Sequence, residues 1–189
     1  MEITIKTSLS AEFLPPRNRH YPLDMAYSLG PKTEGNLREG FSFVWFGKID
    51  QEKTLVIQRE NEPSTKRILL TSPSVIEEFD FTFDQNGQLV YCYQQNNQSY
   101  LYTWNSLNQS YETKEFPNTR NPKVSLDDVR NFTGIESDII FAYMKDTELM
   151  CRYQRDRFDE EHQLWSFPRK KILWRIGMTN GLRFGFQTR

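Results

Sequence analysis

Apolar and polar residues follow the period of a β-strand over most of the chain after residue 40. Phe79, Phe81 and Phe83 occupy alternate positions, which places three rings on one face of an extended segment. Short apolar runs rich in aromatic and β-branched residues, separated by turn residues, are typical of strands. The segments predicted as strands in this first part are 41–46, 54–58, 66–71, 79–83, 88–93, 99–104 and 111–116.

Turn residues join four of these segments into one unit. Asn86-Gly87 supplies the positive φ angles that a tight hairpin needs, and residues 94–98 form a polar tip. Residues 105–108 provide a further turn before the strand that ends near Phe116. The pattern therefore predicts a four-stranded antiparallel meander from residue 79 to residue 116.

The same order of strands and turns recurs later in the chain. The later strands are predicted at 124–127, 139–143, 149–153 and 163–166, with a polar tip at 145–147, and residues 41–71 are interpreted as a degenerate further copy. A repeat of roughly 40–50 residues, each a four-stranded meander, is typical of propeller blades. Since a propeller needs about 4–8 blades, we expect either an open stack or sandwich, or a ring completed by other subunits.

The fold predicted is therefore mainly β, with antiparallel meanders that resemble propeller blades or a β-sandwich. Residues 171–178 and 182–186 form a last predicted hairpin around Asn180-Gly181. No segment keeps helical apolar spacing over several turns, so helix should be minor, with one short turn between Asp156 and His162.

Residues 1–40 differ from the β domain predicted at 41–189. Prolines cannot continue a helix, and a strand is predicted only at 3–6, so we expect an extended N-terminal arm. Such an arm either gains order against a neighbouring subunit or packs as an irregular loop on its own domain. The candidate contact residues of the arm are Pro15, Pro16, Arg17 and Arg19.

Composition narrows the classes of function. Aromatic residues make up 14% of the 189 residues, and the formal net charge is -1, which gives no general attraction to nucleic acid or to an anionic membrane. No apolar run approaches the roughly 20 residues that cross a bilayer. The first residues lack the order of a secretion signal, so we expect that the protein is made in a cytoplasm.

Residues with catalytic or metal-binding chemistry are sparse. The two histidines (His20 and His162) and two cysteines (Cys92 and Cys151) form no known metal spacing, and no nucleophile or phosphate-loop motif is present. We therefore expect no enzyme activity, catalytic residue, cofactor or metal. Two acidic groups keep alternatives open: Asp84 to Gly87 is either a hairpin turn or the start of a calcium loop, and Asp127, Asp128, Glu136 and Asp138 are either arginine-paired or solvated acids, or a catalytic or cation-binding set.

A charged and aromatic segment follows the predicted strand 149–153. Arginine forks pair with carboxylates and stack on rings, and arginine and tyrosine are enriched at protein interfaces. The alternative is a solvated strand edge whose own acids, at 156 and 159–161, neutralise it. The candidate interface residues are Arg152, Tyr153, Arg155, Arg157 and Phe158.

Several stretches of the second half resemble tailed-bacteriophage virion structural proteins. In those proteins a leucine-x-leucine-Asp-Asp stretch precedes an apolar strand, a Gly-Asn-Leu-type turn and a Tyr-Arg-x-Gln-Arg-Asp-Arg-Phe segment. The matching segments are 122–130, 137–143, 148–158 and 176–184. The resemblance is clearest over 120–189 and extends in part over 79–118, and it departs from the pattern at 147–148 and 150–151.

The resemblance implies a non-catalytic tail component: an adaptor, a baseplate or a fibre-network subunit. It implies a virion protein made in the cytoplasm of a host bacterium, with copies of itself and other phage tail proteins as partners. Phage tails have threefold, sixfold or twelvefold symmetry, so a homo-oligomer is expected, without nucleic acid or membrane as a partner. The alternative is a tail-fibre module that binds host-surface glycan through Tyr91, Tyr100, Tyr102 and Trp104, unless these rings belong to the core.

Overall fold

The protein is built from antiparallel strands, which confirms the mainly β prediction. Its regular structure outside strands is one turn of 3-10 helix, Gln154–Asp156, within the described part of the chain. No helix in that part is long and apolar enough to cross a membrane. The computed structural model describes residues 25–29, 44–59, 62–84, 88–105, 107–127, 138–167, 173–179 and 183–188.

Sheet I contains the first four strands, in the order β1-β2-β3-β4. Strand β1, which lies within the segment predicted as an arm, pairs with β2, so β structure reaches further towards the N-terminus than residue 41. Pro15, Pro16, Arg17 and Arg19 lie outside the described residues. The strands of sheet I are β1 (Met25–Leu29), β2 (Val44–Asp50), β3 (Thr54–Arg59) and β4 (Glu62–Thr71).

Sheet II is the meander predicted from the alternating rings. Phe81 lies opposite Tyr91, and Tyr91 lies opposite Tyr102, so aromatic residues form a row across three strands. Asn96 and Asn97 adopt φ angles of 53° and 58°, which close the tight turn at the predicted polar tip. The strands are β5 (Glu78–Phe83), β6 (Leu89–Gln95), β7 (Gln98–Asn105) and β8 (Ser110–Pro117).

Sheet III repeats the meander, as predicted, in the order β12-β11-β10-β9. A separate two-stranded sheet follows, which we call the terminal hairpin. The Asn-Gly pairs predicted to close two of the hairpins lie outside the described residues. The strands are β9 (Arg120–Asp127), β10 (Asp138–Lys145), β11 (Glu148–Tyr153), β12 (His162–Ser166), β13 (Leu173–Thr179) and β14 (Arg183–Thr188).

Successive sheets contact one another through their first strands. Each of β1, β5, β9 and β13 is the edge strand of its sheet, and β1 contacts β5, β5 contacts β9, and β9 contacts β13. We call these four the inner strands. Strands β4, β8 and β12 lie at the opposite edges of sheets I, II and III. Closure of this arrangement into a propeller, or its packing as a sandwich, stays a prediction.

One core layer lies between sheets I and II. The alternation of β5 turns Phe79, Phe81 and Phe83 towards sheet I, where they meet Leu55 and Ile57 of β3. Phe79 is 0% exposed, as are Leu55 and Ile57. This layer accounts for the aromatic excess of the composition, since rings supply much apolar area per residue.

A second core layer lies between sheets II and III. Cys92 and Leu101 of sheet II are buried in one cluster with Phe141 and Tyr143 of sheet III. Both faces of sheet II are therefore covered, which explains why β6 reads as an almost unbroken apolar run. Both free cysteines, Cys92 and Cys151, are buried.

Candidate interaction site

Arg152 on β11 is the first residue of the predicted interface segment, and its side chain contacts other residues of its own protomer. Its guanidinium lies 5.1 Å from the ring centre of Phe116. Its Nε donates to the Tyr143 hydroxyl at 2.7 Å, and its Nη1 donates to the carbonyls of Phe158 at 3.0 Å and Asp159 at 2.6 Å. The fixed fork of the guanidinium thus ties strand β10 to the loop between β11 and β12. We call this group the arginine network.

Glu161 completes the arginine network. Its Oε1 accepts from the Tyr143 hydroxyl at 2.5 Å and from Arg152 Nη2 at 3.2 Å, while Oε2 pairs with Lys145 at 2.9 Å. Burial alone would raise the pKa of the Glu161 carboxyl, but hydrogen bonds from Tyr143 and Lys145 hold that pKa below its ordinary value. Glu161 is therefore an ionised, internally paired carboxylate at neutral pH.

The loop between β11 and β12 contacts residues of its own sheet III and of sheet II. Arg157 and Phe158 adopt left-handed φ angles of 54° and 60°, and the Phe158 amide donates to the Tyr153 carbonyl at 2.9 Å. The reversal inserts the Phe158 ring, 4% exposed, into the core layer between sheets II and III. From β8, Lys114 donates to the Arg157 carbonyl and pairs with Asp159 at 2.6 Å.

Arg155 and Tyr153 form a second group on the other side of the loop. The Arg155 guanidinium lies 4.2 Å from the centre of the Tyr153 ring. It also pairs with Asp138 at 3.4 Å, while the backbone amide of Arg155 donates to the same carboxylate at 3.0 Å. Asp138 is thus an arginine-paired acid and lies opposite Asp127 in the β9–β10 register, whereas Asp128 and Glu136 lie outside the described residues.

The predicted interface residues therefore divide into two sets. Arg152 and Phe158 are committed to contacts within the protomer, and Tyr153 is half-buried. Arg155 and Arg157 are exposed, and Arg155 is paired with Asp138 and stacked on Tyr153. The interface prediction itself stays a prediction.

A cavity of about 370 Å³ opens beside the arginine network. Arg152, Lys145 and Glu161 give it a charged wall, while Phe116 and Tyr143 form an aromatic floor. Lys145, whose side chain is 46% exposed, is the more accessible of the two cations and is paired with Glu161. The remaining lining residues are Pro117, Asn118 and Thr119.

Three other ligand-type side chains converge near the same loop. The ligand atoms of Asp156, Glu160 and His162 all lie within 4.8 Å of one another, which is a donor set that a divalent cation accepts. Arg155 Nε already lies 3.8 Å from the Asp156 carboxylate, and His162 Nε2 lies 3.8 Å from it. The Arg155–Asp156 ion pair lies within this group.

Asp84, for which the sequence left a calcium loop as an alternative, takes part in the hydrogen bonds of a hairpin. The Asp84 carboxylate accepts the Gln88 amide at 2.8 Å, and the Asp84 amide donates to the Gln88 carbonyl at 2.9 Å. These two bonds close the β5–β6 hairpin, as the turn interpretation expects.

The aromatic residues considered for glycan binding stack mainly on each other. Tyr91 stacks on Tyr102 at 4.6 Å, and Tyr93 stacks on Tyr100 at 4.8 Å, within the layer that faces sheet I. Trp104 meets Tyr111 edge to face at 5.2 Å at the β8 margin. The faces of the tyrosine rings are therefore occupied by other rings, and Trp104 is half-buried.

The sequence did not predict a polar cluster between the inner strands β5 and β9. Glu78 and Asp80 project from β5 on the face opposite the three phenylalanine rings, and Lys123 of β9 reaches Glu78 with an Nζ–Oε1 distance of 2.6 Å. Asp80 Oδ2 accepts the Val124 amide at 3.2 Å. We call Glu78, Asp80 and Lys123 the inner-strand cluster. Its one sequence signal is a pair of acids inside an otherwise aromatic strand.

A neighbouring bond extends this connection along β9. The Gln94 side-chain carbonyl accepts the Asn121 amide at 2.7 Å. Asn121 and Val124 both belong to the edge of sheet III that faces sheet II, so side chains of sheet II complete the hydrogen bonding of that edge.

Comparison with known proteins gives this chain no relative: no protein-family model, no curated protein and no solved structure matches it.

Proposed function

We propose that the protein is a structural component of a bacteriophage tail that acts through protein–protein interfaces. The adaptor, baseplate and fibre-network positions are the members of this class that the sequence resemblance implies. Within the described residues, the stretch that carries the resemblance forms sheet III and the terminal hairpin. Copies of the same chain and other tail proteins are the partners proposed, within the virion.

The observation that carries this proposal is an exposed large apolar residue on each of the edge strands β4, β8 and β12, which we call the outer strands. Ile68 on β4 is 67% exposed, Tyr111 on β8 is 43% exposed, and Trp165 on β12 is 58% exposed. Single exposed apolar residues are common on any protein. Their recurrence on the edge strands of three successive sheets is typical of a surface on which neighbouring chains pack, because edge strands also present unpaired backbone groups.

Light scattering on the full-length protein, over a range of concentrations, tests the proposal. We expect an assembly of several subunits, and we expect the triple variant Ile68→Ser, Tyr111→Ser, Trp165→Ser to have a lower mass. Leu107→Ser is the matched control, because Leu107 is 91% exposed in a turn and not on an outer strand. A strictly monomeric protein at high concentration that also fails to join purified tails would contradict the proposal.

A second candidate is binding of host-surface glycan, and the Trp104–Tyr111 pair is the observation that favours it. Tryptophan and tyrosine faces stack on sugar rings, and this pair lies at the margin of sheet II. A glycan array should then give a signal that Trp104→Ala abolishes and Tyr100→Ala preserves, since Tyr100 stacks on Tyr93. An array without signal removes this candidate and leaves the structural proposal untouched.

A further inference from the structure

The inner-strand cluster places the Lys123 amine in contact with the Glu78 carboxylate and within electrostatic range of the Asp80 carboxyl group, between sheets II and III. The Glu78 side chain is 3% exposed and the Lys123 side chain is 13% exposed, at an Nζ–Oε1 distance of 2.6 Å. Asp80 lies two residues from Glu78 on the same face of β5. Cys92 lies opposite Asp80 in the β5–β6 register and is 0% exposed, so the cluster borders the apolar core layer.

One ammonium cannot neutralise both carboxylates of the cluster, of which Glu78 is buried and Asp80 is half-buried. Removal of an ion from water costs several kcal/mol, and a single partner offsets only one such charge. Burial raises the pKa of the Asp80 carboxyl to about 6, against the lowering effects of Lys123 and of the Val124 amide. Asp80 is therefore protonated far more readily than an ordinary aspartic acid.

The three groups supply the parts of an acyl transfer. Lys123 is an amine nucleophile, and Glu78, in direct contact with it, is a base that can remove a proton from the ammonium. Burial alone lowers the pKa of Lys123, but Glu78 and Asp80 raise it, so the amine is protonated before reaction and needs that base. The Val124 amide points at Asp80 Oδ2 and is positioned to stabilise negative charge on that oxygen.

We propose that Lys123 and Asp80 form an intramolecular isopeptide bond, with Glu78 as the proton acceptor. Glu78 takes a proton from the Lys123 ammonium, and the free Nζ attacks Cγ of the protonated Asp80. Glu78 passes that proton to the departing hydroxyl, which leaves as water, and then takes the surplus proton from the nitrogen. The Nζ–Cγ bond forms, the Cγ–O bond to the hydroxyl breaks, and Glu78 ends protonated.

The reaction needs no oxidant, metal or further reactant. Its products are one neutral amide and one water molecule, so the charge of the ammonium no longer has to be accommodated in the interior. The bond joins the inner strands of sheets II and III, which are otherwise connected by side-chain hydrogen bonds and core packing. This inference concerns the chain's own residues and does not depend on the proposed tail function.

Intact-mass measurement of the purified full-length protein in denaturant tests the proposal. We expect a mass lower than the sequence mass by one water molecule, and a branched peptide that joins the segment containing Asp80 to the segment containing Lys123. Lys123→Arg, Glu78→Gln and Asp80→Ala should each restore the full sequence mass. Lys114→Arg is the matched control and should keep the water loss, since Lys114 pairs with Asp159 elsewhere.

The wild-type measurement decides the question even if a variant fails to fold. A wild-type mass equal to the sequence mass overturns the proposal. A branched peptide that joins Lys123 to Glu78 overturns the assignment of Asp80 as the acceptor. Retention of the water loss in Glu78→Gln overturns the role of Glu78 as the base.

Discussion

Gly47 of β2 lies directly against the ring of Phe79 on β5. A β-carbon at Gly47 would be 2.7 Å from Phe79 Cζ and 2.8 Å from Cε1 of Phe81. Atoms do not approach so closely without displacement, so the absence of a side chain at position 47 lets the rings of sheet II pack on the backbone of sheet I. The rings on one face of β5 thus pack against a single glycine of another sheet.

Gly47→Ala should therefore destabilise the protein although alanine suits a strand no worse than glycine. Overpacking of a core by one carbon costs about 1–3 kcal/mol. Chemical denaturation should show this loss in the free energy of unfolding. In the double variant with Phe79→Leu, the smaller side chain should recover part of the loss relative to Phe79→Leu alone. Equal losses from Gly47→Ala in both backgrounds would contradict the contact.

Arg152→Gln should lower stability more than Arg157→Gln. The first change removes the guanidinium donor of the Phe158 and Asp159 carbonyls and one of the donors of Glu161, and loss of such a charged partner costs about 3 kcal/mol. Arg157 is exposed, so its substitution should stay within about 0.5 kcal/mol. Equal effects in urea denaturation would show that the arginine network contributes little.

Glu161→Gln should show a loss of stability that depends on pH. The pKa of Glu161 is lower in the folded protein than its ordinary value of 4.5, so its ionised form stabilises the fold above that value. We expect a loss of about 1–2 kcal/mol at neutral pH. As the pH falls through the folded pKa, the wild type loses the same contribution and the two stability curves converge. Parallel curves from pH 3 to pH 7 would contradict this assignment.

The two thiols should be inert in the folded protein. Cys92 and Cys151 are both 0% exposed, and burial raises the pKa of each thiol. A thiol reagent such as DTNB should therefore label neither residue in native buffer and both in denaturant, because the thiolate is the reactive form. The Cys151→Ala variant isolates the signal of Cys92. Rapid labelling of this variant under native conditions would contradict the packing between sheets II and III.

The strands could be predicted because their signal is local. Phe79, Phe81 and Phe83 show the period of a strand within five positions, and the Asn-rich tip at 96–97 marks where the chain reverses. The meanders followed from such signals in order along the sequence. Strand β1 was not expected, because its pairing with β2 depends on residues that lie far apart in the chain.

The partners of polar side chains could not be predicted in the same way. Arg152 has the same sequence signature whether its guanidinium meets another subunit or the carbonyls of its own loop. Lys123 and Glu78 belong to different meanders, and only the approach of two inner strands brings them together. A contact to another subunit and a contact within the chain use the same residue types. Only the three-dimensional structure therefore distinguishes the two.

The hydrogen bonds from Asn121 and Val124 to side chains of sheet II have a consequence for aggregation. An edge strand with free amides is a template on which a foreign strand can add, and β9 is such an edge by its position. Gln94 and Asp80 occupy two of those amides, so β9 resists templated growth of the kind that begins amyloid. Strand exchange between copies is therefore less favourable at β9 than at the opposite edge strands β4, β8 and β12.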